Sequence, residues 1–173
     1  IGVVISSAIG GISSLEEAVV TLNSQGSRRI GPFAIPMLMA NGAAGLVAIR
    51  YGFKGPAYCL VSACASGADG IGLAWLLIRA GIIDAAVAGA SEATVCPVGV
   101  ATFDRVGAMT KRTDLVPQPF DKERDGLVMG EGAGILVLEK ESRAKARGAN
   151  ILAELASHAA TGGVTTRRSM DPC

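Results

Sequence analysis

Aromatic side chains are scarce in this chain, 4% of 173 residues, against 23 glycines and a hydrophobic share of 50%. A core with so few rings packs small side chains and lets backbones approach closely. Charged residues are few as well, at 18%, and 16 Lys and Arg against 15 Asp and Glu leave a net charge of +1. That balance excludes a global basic field for nucleic acid. The mean hydropathy of +0.43 excludes a disordered segment. Cys59, Cys64, Cys96 and Cys173 form no CxxC pair and no cluster with the single histidine, His158. A disulfide framework and a zinc site are therefore not expected, no permanently bound cofactor is indicated, and reduced cytoplasmic thiols are the natural reading.

A membrane span is not expected either. The run from Ile30 to Ile49 carries no charge and has the length of a span. It is interrupted by Pro32, Pro36, Asn41, Gly31, Gly42 and Gly45, and reads as a buried helix with its lead-in loop. The start, Ile1-Gly2-Val3, has neither an initiator Met nor the charged region of a signal peptide, so the expectation is a fragment of a longer protein.

Apolar runs alternate with helical patterns, which predicts a layered α/β fold in a single domain over residues 1–160, with an irregular tail over 161–173. Strands are expected at 2–6, 57–63, 84–89, 134–138 and 151–156. Helices are expected over 37–51 with Gly52 as C-cap, 65–80 closed by Gly81, 97–106, and 141–147. A further helix begins near Ser13 and Ser14, each three residues before a glutamate, which predicts a capping box. Residues 111–126, with Pro117 and Pro119, read as a surface loop.

The residue that carries chemistry is Cys64, placed between a predicted strand and a predicted helix and flanked by Ala63, Ala65, Ser66 and Gly67. Only small flanks fit so sharp a strand-to-helix turn. At a helix N-terminus, unpaired N–H groups and the macrodipole stabilise negative charge, which activates a thiol placed there. The same N–H groups suit the oxyanion of a tetrahedral intermediate. The alternative is a small buried cysteine filling space, and Cys59 and Cys96 are read that way.

Four motifs occur in order: Ser62-Ala-Cys-Ala-Ser-Gly67, Ala88-Gly-Ala-Ser-Glu92, Pro119-Phe-Asp-Lys-Glu-Arg-Asp-Gly126 and Gly130-Glu-Gly-Ala-Gly134. Together they resemble the β-ketoacyl–acyl carrier protein synthases, above all the elongating enzymes of type II fatty acid synthesis. The resemblance implies a thiolase-like layered α/β/α fold, here an N-terminal half, and decarboxylative Claisen condensation of an acyl group with malonyl-carrier protein. It implies that Cys64 is acylated, that Phe103 gates the acyl pocket, and that Ile9 lines its floor near the dimer interface. It also implies that Arg28 and Arg29 face an acidic acyl carrier protein, whose phosphopantetheine delivers the substrates, and that the enzyme is a homodimer. Taken alone, Phe103 and Ile9 are apolar residues of a helix and a loop, and the two arginines a solvated pair. The chain departs from the family pattern at Gly107 and Gln118, each standing where an arginine is common. The two histidines and lysine of these enzymes belong to the C-terminal half, and His158 is read as a structural or surface residue. The chain by itself is thus expected to be inactive.

Three alternatives stand beside this reading. A polyketide ketosynthase subunit shares the motifs. A catalytically silent docking partner would have little need of a thiol at Cys64. A nucleotide-binding domain would rest on Gly130–Gly134, which leads into a strand and has no P-loop lysine.

Overall fold

The computed structural model describes residues 1–114 and 116–162. The tail expected from Thr161 falls, beyond Gly162, outside the described residues, and Cys173 with it.

Strand β1 (Gly2–Ser6) is buried along its whole length and sets the layers through its alternation. Val4 belongs to one face, with Ala74, Ile78, Ile83, Ala86 and Ala88, while Val3 and Ile5 pack on the other with Ala44. Val3 and Val4 are fully buried, each worth about 1.5–3 kcal/mol of apolar transfer. Three more strands complete the sheet: β2 (Ala57–Tyr58), β3 (Ala85–Glu92) and β4 (Gly132–Glu139). Their order is β2-β1-β3-β4, with β1 parallel to β2 and β3, and β4 antiparallel to β3. Helix α4 (Ser66–Arg79) covers the Val4 face and helix α3 (Gly42–Tyr51) the Val3 face, giving the expected α/β/α layers.

Small residues let these layers close. A Cβ at Gly70 of α4 would lie 2.3 Å from the Ser6 hydroxyl, and one at Gly89 of β3 would lie 2.0 Å from the Gly134 carbonyl. The glycine-rich, ring-poor composition is thus used at the helix–sheet and strand–strand contacts beside the candidate site.

The remaining helices are α1 (Ile12–Gln25), α2 (Ala34–Leu38), α5 (Pro97–Arg105) and α6 (Glu141–Ala146), with a short 3-10 turn at Ser27–Arg29. Gly52 caps α3 in the left-handed conformation, φ 66°, as expected.

Four expectations are corrected. The helix over 37–51 is two helices, because the Leu38 carbonyl accepts a bond from Gly11 N–H (3.1 Å) and Met39 turns extended. Ser13 and Ser14 lie inside α1, which starts at Ile12 without a side-chain cap. Glu16 is turned outward instead, and its Oε1 accepts the Val98 N–H of α5 at 3.2 Å. The strand over 57–63 pairs only at Ala57 and Tyr58 before the chain peels away into the Cys64 turn. Residues 151–156 form no strand; Leu155 offers its carbonyl to the Trp75 indole of α4 at 2.9 Å. No described helix is long and apolar enough to cross a membrane.

Candidate active site

The turn into α4 is built from its own polar side chains. Ala65 N–H donates to the Ser62 carbonyl at 3.1 Å, closing a tight turn in which Ala63 takes a positive φ of 51°. A left-handed conformation at a non-glycine residue costs on the order of 1–3 kcal/mol and persists only where its surroundings hold it. Ser66 holds it here. Its hydroxyl donates to the Ala63 carbonyl at 2.6 Å and accepts the Ser62 N–H at 2.9 Å, while its N–H donates to the same carbonyl at 3.1 Å. The Ser62 hydroxyl in turn donates to Asp69 Oδ2 at 2.5 Å. Cys64 rides on this brace with its residue exposed to solvent.

Cys64 opens onto a concavity of about 510 Å³. Phe103 and Ile9, the other residues singled out for an acyl pocket, line the same concavity, reaching it from α5 and from the loop after β1. Much of the remaining wall is small: Ala8, Ala63, Ala90, Ala133 and the backbone of Gly134. Ile9 is placed there by a residue to which the sequence assigned no role. Glu92, at the end of β3, accepts the Ser7 hydroxyl on Oε1 (3.0 Å) and the Ala8 N–H on Oε2 (2.6 Å). Ser7 Oγ also accepts the Gly10 N–H at 2.7 Å, so one carboxylate fixes the loop that carries Ile9. The signal was present in the Ala88-Gly-Ala-Ser-Glu92 motif, whose single charge ends a buried strand.

Two of the N–H groups expected to receive an oxyanion, those of Ala65 and Ser66, are committed to the Ser62 and Ala63 carbonyls. Arg28 and Arg29 sit exposed on the 3-10 turn, lining neither this concavity nor the adjoining one of about 530 Å³. Cys96 is buried and Cys59 half-buried, in keeping with a space-filling reading. His158 lies on α4: a Cβ at Gly72 would fall 2.4 Å from its ring, and its Nε2 is 3.7 Å from Asp69 Oδ1. Among the described residues, no group of three metal-ligating side chains gathers.

The structure is thus an α/β/α sandwich that presents an exposed cysteine on a strained strand-to-helix turn, at an apolar concavity. Residues 1–144 match the family described as Beta-ketoacyl synthase, N-terminal domain, and the chain belongs to that family. The 3-oxoacyl-[acyl-carrier-protein] synthase 2 of Synechocystis is 46% identical over 164 residues, covering 93% of this chain and 39% of that protein. The protein of the same name from Rhizobium meliloti is 44% identical over 165 residues, again covering 93% and 39%. The chain therefore spans well under half the length of these relatives. Among solved structures, a type II polyketide synthase acyl-carrier protein in complex with its ketosynthase matches at a TM-score of 0.80. The identity is 35%, covering 86% of this chain and 39% of that one. A β-ketoacyl synthase from Burkholderia phymatum matches at 0.75 and 37% identity, covering 86% and 37%. These ketosynthase neighbours are thiolase-like, and the mixed sheet described above is the corresponding part of their fold.

Proposed function

We propose that this chain is the nucleophile-bearing part of a 3-oxoacyl-[acyl-carrier-protein] synthase of fatty acid biosynthesis, with Cys64 as acyl acceptor. The observation that carries the reading is the exposed cysteine on the braced turn, sharing one apolar concavity with Phe103 and Ile9. In the first half-reaction the Cys64 thiolate attacks the thioester carbonyl of an acyl chain held on phosphopantetheine, a substrate carrier and not a resident cofactor. The bond to the pantetheine sulfur breaks, that sulfur leaves with the electron pair and takes a proton, and the acyl group remains as a thioester on Cys64. The Cys64 N–H serves as oxyanion donor, since its two successors are engaged within the turn. In the second half-reaction malonyl-carrier protein loses CO₂, and the resulting enolate attacks the acyl-Cys64 carbonyl and expels the thiolate.

His158, the single histidine, faces Asp69 and takes no part in decarboxylation. Phe103 admits the acyl chain beside the sulfur and Ile9 limits its depth. Arg28 and Arg29 are exposed cations suited to steering an acidic carrier protein. The protein works in the cytoplasm as a homodimer. The exposed Leu46, Ile49 and Tyr51 of α3 and Val137 of β4 supply apolar surface for the rest of the assembly.

The full-length protein, given acyl- and malonyl-carrier substrates, is expected to form a β-ketoacyl product, and Cys64→Ala to abolish it. Undiminished product from Cys64→Ala would overturn the reading. The match to a polyketide ketosynthase complex favours one other substrate class, and a preference for β-ketoacyl over saturated acyl donors would select it.

A further inference from the structure

One carboxylate touches both the nucleophile turn and the segment that crosses α4. Asp69 Oδ2 accepts the Ser62 hydroxyl at 2.5 Å, and Asp69 Oδ1 lies 3.7 Å from His158 Nε2. Both side chains are four-fifths buried, at 20% and 21% exposure. Asp69, Gly72 and Trp75 recur every three residues along α4 and share one face. The missing side chain at Gly72 makes the notch in which the His158 ring lies, and the Trp75 indole holds the Leu155 carbonyl at 2.9 Å. Residues 149–160 have no helix or strand of their own, so these ties fix where the segment lies. Ser62 accepts the Ala65 N–H on its carbonyl and donates its own N–H to the Ser66 hydroxyl, so displacing it disturbs the turn on either side of Ala63.

We propose that Asp69 is a positioning residue that couples the seating of His158 on α4 to the rigidity of the turn carrying Cys64. His158 acts through Asp69 and Ser62, without reaching the sulfur. The consequence for catalysis rests on the reading of Cys64 as nucleophile, whereas the coupling itself does not.

Hydrogen–deuterium exchange of the full-length protein, read on the peptide spanning Ser62–Asp69, tests the coupling without any chemistry at Cys64. His158→Gln is expected to speed exchange there about two- to fivefold, the weight of one weak side-chain contact longer than a hydrogen bond. The peptide spanning Ala85–Glu92 should be unchanged. Asp69→Ala should loosen the turn further, and Asp69→Asn, which keeps an oxygen for Ser62, should restore most of the protection. In a Ser62→Ala background, His158→Gln should add nothing more. For acyl transfer, His158→Gln should lower kcat with KM unchanged. Unchanged exchange in His158→Gln, an equal rise in the Ala85–Glu92 peptide, the same factor in both backgrounds, or an unaltered kcat would each overturn the proposal. A failure of Cys64 to become acylated in the wild-type protein would instead fall on the condensing-enzyme reading.

Discussion

Removing the Glu92 carboxylate should both destabilise the fold and loosen one wall of the acyl concavity. In Glu92→Ala, the Ala8 N–H and the Ser7 hydroxyl lose their acceptors together, in a part-buried setting. Hydrogen bonds to a charged group contribute about 1.5–3 kcal/mol each where buried. Allowing for partial exposure, the pair should cost about 2–4 kcal/mol, a large share of the roughly 5–15 kcal/mol that holds a domain folded. Glu92→Gln keeps one acceptor but turns an amide N–H₂ toward the other donor, so it should cost about half as much. Urea denaturation of the full-length protein checks this, with the midpoint falling while the m-value stays constant. Glu92→Gln should also broaden acyl chain-length preference, because the loop that presents Ile9 is no longer held at both points. A Glu92→Ala midpoint corresponding to less than about 0.5 kcal/mol of change, the range of an ordinary surface substitution, would refute the reasoning.

Phe103→Ala should alter the rate of acyl transfer and the chain-length preference while leaving Cys64 alkylation intact; identical transfer kinetics for short and long donors would contradict a gate. Limiting iodoacetamide at neutral pH should label exposed Cys64 before half-buried Cys59 and buried Cys96, as read by peptide mass spectrometry. Glu139 is held below the usual carboxylate range by the hydrogen bond from Arg147, with the Arg147 and Arg143 charges adding to it against desolvation. A depressed carboxyl stabilises the fold above its unfolded titration and ceases to do so as pH falls through the folded value. The melting temperature of Glu139→Gln should therefore lie below wild type at neutral pH and converge with it in acid; a constant gap would contradict the pairing.

The elements that were legible in the sequence are those whose cause is local. The run of β1, the helical period and glycine close of α4, and the proline start of α5 each follow from residues adjacent in the chain. So does the small-flanked turn at Cys64, which needs no partner to be recognised. What escaped was set by distant backbone. Leu38 ends α2 because Gly11, on another loop, takes its carbonyl. Glu16 serves α5 and not its own helix. The apolar spacing of 151–156 encodes a preference for burial but not an edge to pair with, and the structure lays the segment against α4. Convergence of Ile9 and Phe103 with Cys64 followed only from the family resemblance. Asp69 gave no signal, and Glu92 only its place at the end of a motif, because each acts by joining segments far apart in sequence.

The most direct measurement of the central claim is intact and peptide mass spectrometry of the full-length protein after a single turnover with an acyl-pantetheine donor and no malonyl substrate. The expected result is one acyl mass increment, confined to the peptide containing Cys64, discharged by hydroxylamine and absent from Cys64→Ala. An increment on Cys59 or Cys96, or none at all from folded protein, would contradict it.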